Sequence, residues 1–255
     1  MADVEANRST WRRYDWTGDG GEEWSSAWGG SRMLWRVTLF PRLAPFLPAA
    51  RILEIAPGGG RVTAFLVDEC EHLDLVDISE TALDSCRSRF GDRSHVRYHL
   101  GDGASLDFIE DGSIDLAISW DSLVHADAPA VEGYVRALGK KLKPGGTAIL
   151  HHSNLAACRL PDGRYGADMD RPENGWRSPT VSAELARRFC ADHGVLCLGQ
   201  EIFPWSRPPV LSDCLTVLSR PTKRTRAAEP VIAQTDMPGE MATASRLARI
   251  YRRIE

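Results

Sequence analysis

Six cysteines are scattered through the 255 residues, and none forms a Cys-x-x-Cys pair. Cys70, Cys86, Cys158, Cys190, Cys197 and Cys214 therefore read as reduced thiols rather than a zinc ribbon or a disulfide scaffold. No apolar run approaches the roughly 18 residues that a membrane span requires, and Met1–Thr10 lacks the apolar stretch of a secretory signal. Charge of one sign is also scarce: 31 basic against 35 acidic residues leave a net charge of −4, which argues against a strongly basic nucleic-acid surface. Internal repeats are missing, and no dense carboxylate cluster offers itself to a metal. These absences predict a cytoplasmic protein that engages neither nucleic acid nor membrane, with homo-oligomerisation left open.

What is present is an ordinary globular composition, 43% hydrophobic and 26% charged, and a regular alternation of strand and helix patterns. Arg51–Ala56 is a short apolar run ending in Pro57-Gly58-Gly59-Gly60, and Val62, Phe65 and Leu66 then share a helical face. His72–Asp77 is the next strand. Ser79 is a good N-cap for a helix buried through Leu83, Cys86 and Phe90. His95–Leu100 alternates, Ile114–Ser119 is strand-like, and Val131 to Leu142 trace a helix stripe that stops at Lys143-Pro144-Gly145-Gly146. Thr147–His152 is a fifth strand. After a helix over about residues 180–193, Val195–Phe203 and Leu211–Ser219 have no helix between them, so they are expected to pair antiparallel at a sheet edge. The fold class predicted is α/β: a doubly wound, seven-stranded, mostly parallel sheet of Rossmann-like type with a C-terminal antiparallel hairpin. Residues 1–49 read as a Trp-rich cap holding five of the eight tryptophans, 50–220 as the core, 153–179 within it as a lid too long for a simple connection, and 221–255 as a basic, largely solvated tail with a short helix near 242–254.

The most informative segment is Glu54-Ile55-Ala56-Pro57-Gly58-Gly59-Gly60. A strand that runs into glycines and then a helix brings backbone N–H groups close to a ligand with no Cβ in the way. Asp77 ends the following strand, 19 residues after Gly58, where a carboxylate can accept both hydroxyls of a ribose. Gly101-Asp102-Gly103 ends the third strand and puts a second acid where an adenine amino group would lie. A nicotinamide-dependent oxidoreductase shares this logic, but the third fingerprint glycine is replaced by Thr63, no Tyr-x-x-x-Lys pair occurs and no second domain is available for hydride chemistry.

Together these segments resemble the class I S-adenosylmethionine-dependent methyltransferases. The family's first motif, Glu-x-Gly-x-Gly-x-Gly, reads here Glu54-x-Ala56-x-Gly58-x-Gly60, with alanine in the first glycine position. The resemblance, over about residues 50–220, implies S-adenosyl-L-methionine as cofactor. It assigns Asp77 to the ribose and Asp102 to the adenine, with Ile78 and Gly103 beside them. Trp120 and the N-terminal Trp16 and Trp28 join this cofactor set, and Trp35 is a further candidate to close over it.

Methyl transfer is an in-line displacement, and a hydroxyl acceptor gains about 10²–10⁴-fold from a positioned base. Reactive groups in open α/β sheets sit beyond the carboxyl ends of the strands, where two segments qualify. In Trp120-Asp121-Ser122-Leu123-Val124-His125 the candidate base is His125, and Asp121 orients it, acts as base itself or holds a polar substrate group. In His151-His152-Ser153-Asn154 adjacent residues face opposite ways, so only one histidine reaches the pocket, and His152 is the expected one. No metal is assigned. The combined pattern is similar to small-molecule O-methyltransferases of sugars and glycosylated natural products, such as those of antibiotic biosynthesis. An N-methyltransferase is the alternative, and a non-catalytic cofactor-binding module is a further one.

Overall fold

The computed structural model describes residues 3–18, 20–160, 176–205, 210–225 and 229–251. Its centre is an eight-stranded sheet built from β1 (Ala49–Ile55), β2 (Cys70–Asp77), β3 (Val96–Leu100), β4 (Ile114–Leu123), β5 (Leu142–Ser153), β6 (Leu196–Phe203), β7 (Asp213–Ser219) and β8 (Val231–Gln234). The spatial order is β3-β2-β1-β4-β5-β7-β6-β8. All neighbours are parallel except β7, which runs antiparallel to both β5 and β6. The chain reverses its direction of travel across the sheet between β1 and β4, and that crevice is where open α/β sheets bind ligands.

The central strands are buried on both faces, as their continuous apolar runs require: Ile52, Leu53 and Ile55 of β1 are wholly inaccessible. One face is covered by α6 (Ala128–Lys141) and α7 (Ala183–Asp192), which bury Val131, Val135, Leu138 and Phe189 against it. The other face carries α4 (Thr63–Leu66), α5 (Glu80–Phe90) and the N-terminal helical run of α2 (Ser31–Met33), a π-helical stretch (Leu34–Leu39) and α3 (Phe40–Leu43). Local signals explain the starts: Ser79, Asp127 and Ser182 each accept a hydrogen bond from a backbone amide three residues on. The Lys143–Gly146 turn is absorbed as a register shift between Ile114 and Leu116 in the β4–β5 pairing. The helix α1 (Val4–Arg13) lies apart from both layers, across the carboxyl ends of the strands. No helix of the described residues is long and apolar enough to cross a membrane.

The sheet has one strand more than the seven expected. Val231–Gln234 pairs with β6 in parallel register, so β8 and not the hairpin forms the edge. Nor is the segment after Arg220 simply a solvated tail. Its helix, α8 (Met237–Tyr251), begins earlier than expected and inserts Met237 and Ala244 into the core at no exposure. Glu240 of α8 and Glu201 of β6 both pair with the Arg42 guanidinium, at 2.8 and 2.5 Å. That shared, largely buried cation ties the tail to the N-terminal helices.

Candidate functional site

The cleft begins at the glycine turn. Ala56 and Gly58 both adopt left-handed conformations, with φ of 58° each. Alanine thus keeps the backbone shape that the family's glycine would supply, at a steric cost of about 1–2 kcal/mol. Gly58 needs its missing side chain: a Cβ there would lie 2.6 Å from the Trp16 ring. The Gly58 amide donates to Asp77 at 3.2 Å, so the turn and the end of β2 hold each other.

These residues line a cavity that encloses about 880 Å³ of empty space with its open mouth included. Of the residues singled out from the sequence, Glu54, Ala56, Gly58, Asp77, Ile78 and Gly103 line it. Trp16, Trp120, Asp121 and His125 line it too. Others do not. Gly60 faces α5, where a Cβ would meet the Phe90 ring at 2.5 Å. Asp102 bends back onto its own loop and accepts from the amides of Ala104 and Ser105 at 2.9 and 2.7 Å. Trp28 is sunk in the core, donating to Thr38 at 2.9 Å, and Trp35 stacks on Phe65. Neither closes over the cavity.

Neither histidine of the pair lines a cleft, His152 included. His152 is wholly buried, donates through Nδ1 to the Ser153 carbonyl and meets the Thr216 hydroxyl at 2.8 Å. Burial pushes it down to about 4, so it is a neutral structural residue of the β5–β7 pairing. His151 is equally buried and lines neither cleft: its Nδ1 accepts from the Asp121 amide at 3.0 Å and its Nε2 donates to Asp213 at 3.0 Å. Asp121 is held there at φ 54°, an uncommon conformation for a residue with a side chain.

Burial dominates the electrostatics. It raises Glu54 to about 7 against the opposing hydrogen bond from Thr63, and Asp77 to about 6 against amide donors from Ser79 and Gly58. The folded protein therefore retains protons at these two groups that the unfolded chain releases near pH 4, and their contribution to stability becomes less favourable as pH rises from about 4 to about 7. A positive charge placed between them would offset this.

A second cleft opens beside the first and shares Trp11, Trp24, Asp121 and His125 with it. Its remaining wall includes Trp176, Arg177, Trp205 and Glu23. Trp11 lies 5.3 Å from the His125 ring and 6.2 Å from Trp176, centroid to centroid. His125 sits where the cavities meet. Its Nδ1 donates to the Trp176 carbonyl at 2.5 Å, which leaves Nε2 as the lone-pair nitrogen. Burial holds its pKa below the usual histidine value despite that carbonyl. Asp121 lies between two guanidinium groups, Arg61 at 2.8 Å and Arg177 at 3.8 Å. Of the lid read from the sequence, Arg164, Tyr165 and the acidic residues Asp162, Asp168, Asp170 and Glu173 fall outside the described residues. Among the described residues no group of three or more His, Cys, Asp or Glu is arranged to hold a metal.

Sequence reasoning missed Arg61, Asn7 and Tyr134 as cavity residues. Arg61 follows the glycine turn directly, so its proximity was available. Asn7 and Tyr134 had no local signal.

Residues 52–146 match the family described as methyltransferase domain. The demethylmenaquinone methyltransferase of Clavibacter sepedonicus is 31% identical over 121 residues, which make up 48% of each protein. Among solved structures, the N-methyltransferase NodS from Bradyrhizobium japonicum WM9 superposes with a TM-score of 0.56 at 16% identity, covering 86% of this chain and 100% of its own. The geranyl diphosphate C-methyltransferase from Streptomyces coelicolor A3(2) reaches 0.63 at 12% identity, covering 85% and 97%. Both were solved with S-adenosyl-L-homocysteine. The chain spans less than half the length of the curated relatives it matches, and at these identities the structural likeness establishes the fold. The resemblance to class I S-adenosylmethionine-dependent methyltransferases, read from the motifs, is borne out.

Proposed function

We propose that the protein uses S-adenosyl-L-methionine to methylate a hydroxyl of a small polar acceptor, with a sugar or glycosylated natural product as the class its second cleft suits. The observation that carries this reading is His125, neutral and with Nε2 unengaged among the described residues, at the junction of two adjoining cavities. The residues fit the cofactor. Two buried polar atoms of the first cavity, Asn7 Oδ1 and Trp120 Nε1, find no partner among the described residues, and such atoms call for a ligand that satisfies them. Asp77 stands where it can accept from a ribose diol, and the raised carboxyls Glu54 and Asp77 favour a cationic occupant.

S-adenosylmethionine supplies an electrophilic methyl group on a positively charged sulfur. The chain's part is alignment and proton removal. Trp16 closes over the glycine turn, and the tryptophans of the second cleft can stack on an acceptor ring and keep water from it. His125 Nε2 takes the hydroxyl proton, while the Nδ1–H bond to the Trp176 carbonyl supports the resulting positive charge. Asp121, anchored by Arg61 and by the His151 contact to its amide, presents a carboxylate to polar groups of the acceptor. His152 and a metal have no part in this scheme. A second reading, methylation of an amino group, is favoured by the Glu23 carboxylate beside several tryptophan faces, a setting suited to a cation.

Calorimetry tests the cofactor assignment. S-adenosylmethionine should bind in the micromolar range, about −8 kcal/mol, and NAD should give no heat. Asp77→Ala should weaken S-adenosylmethionine by about 1–3 kcal/mol, by removing the partner of the ribose hydroxyls. Tight NAD binding without S-adenosylmethionine binding would refute the reading.

A further inference from the structure

The acid that the motifs assign to the adenine amino group is absent from the cavity lining, and its Oδ1 is taken up by its own loop. Asp102 accepts from Ala104 and Ser105; burial opposes its charge, but these amides outweigh it and hold the carboxyl below its ordinary value. At that end the cavity wall is apolar and suited to a flat purine, formed by Val4, Ile78, Ala126, Ala130 and Tyr134. Asn7 lies on the same wall. It is 6% exposed, and its Nδ2 donates to the His125 carbonyl at 2.9 Å. A carbonyl can only accept, so this bond fixes the orientation of the amide and leaves Oδ1 as the buried acceptor without a described partner.

The helix that carries Asn7 is fastened over this end of the cavity. Arg8 donates to the Asp102 carbonyl at 3.1 Å, and the Trp11 carbonyl accepts from Ser79 at 3.1 Å. Val4, nearly one turn before Asn7, comes within 2.8 Å of where a Cβ on Gly103 would be. The inner face of α1 thus lies against the ends of β2 and β3, and brings one unsatisfied acceptor to the apolar end of the cavity.

We propose that Asn7 reads the cofactor's base: its Oδ1 accepts a hydrogen bond from the exocyclic amino group of adenine, the role that Asp102 does not fill. This rests on the S-adenosylmethionine reading of the cavity. A 6-oxo purine would present an oxygen to Asn7 Oδ1, so the site rejects hypoxanthine at the same position.

The test compares S-adenosylhomocysteine with S-inosylhomocysteine by calorimetry. Wild type should prefer the adenosyl ligand by about 10–100-fold, the range expected when a buried acceptor faces the wrong group. Asn7→Ala should bring the two ligands within about three-fold of each other, because discrimination disappears with the acceptor. Arg8→Ala, which loosens α1 without removing the acceptor, should leave the ratio unchanged. A wild-type ratio near one overturns the proposal whether or not a variant folds. So does an Asn7→Ala protein that keeps the full preference, since a merely structural Asn7 would weaken both ligands together. If wild type binds neither ligand, the cofactor reading itself has failed.

Discussion

Alanine at position 125 is expected to lower turnover by about 10²–10⁴-fold while the affinity for S-adenosylhomocysteine changes by less than about three-fold. The separation of effects follows from the geometry. The ring borders both cavities, yet its hydrogen bond to the Trp176 carbonyl runs to the wall of the second cleft. Removing it deletes a base without touching the glycine turn, Asp77 or Trp16. The pH profile supplies a second check. Burial holds His125 below the ordinary histidine range, so the ring stays unprotonated at pH 7. Activity should fall only on acidification, with its midpoint below about 6.5. Transfer of a labelled methyl group to a panel of hydroxylated and amino acceptors measures both. Near-wild-type turnover of H125A on a hydroxyl acceptor would remove the base from the mechanism.

The parts of this protein that the sequence made legible are those encoded by neighbouring residues. Ser79 three residues before Ala82, the glycine turn after an apolar run and Asp77 at the end of the next run each declare themselves within one supersecondary unit. What stayed hidden depends on distant pairing. Val231–Gln234 is four exposed residues, and only its alignment beside β6 makes it a strand. Met237 becomes core because Arg42, almost two hundred residues earlier, gathers Glu201 and Glu240 around one guanidinium. The site divides the same way. Asp102 occupied the right place in the motif but met closer donors in its own loop, and Asn7 became a cavity residue through a carbonyl 118 positions away. For the histidine pair, alternation rightly sent the two rings to different partners, but neither reaches a cleft. What buries both is the pairing of β5 with β7, where His152 stands opposite Cys214 and His151 opposite Leu215.

The same register creates the largest stability effect expected in the molecule. Asp213, at the start of β7, is wholly buried and accepts from His151 Nε2 and from Arg177 Nε, each at 3.0 Å. Burial opposes its charge, but Arg177 and His151 outweigh it and hold the carboxyl well below the ordinary carboxylate range. D213N leaves the shape and removes the charge, so the Arg177 guanidinium, 6% exposed, loses the carboxylate it meets at 3.0 Å. Breaking a buried pair from one side costs about 3–5 kcal/mol, which for a chain of this size lowers Tm by roughly 10 °C. The pH dependence has a definite sign. A carboxyl with a depressed folded pKa stabilises fully above its unfolded value and loses that contribution as pH falls through the folded one. The difference between wild type and D213N should therefore be complete at pH 7 and shrink below about pH 4. Function should suffer at the acceptor side. Asp213 steers the Arg177 group that stacks on Trp205 at 4.5 Å, and through His151 it holds the Asp121 amide. Acceptor KM should rise in D213N, while S-adenosylhomocysteine affinity, set by the glycine turn and Asp77, stays within a few-fold. Urea melts at pH 7 and near pH 3 measure the first effect, and calorimetry with steady-state kinetics the second. Equal stability of the two proteins at pH 7 would mean that Arg177 does not depend on the Asp213 charge, and the Asp213 network would lose its role in holding the second cleft.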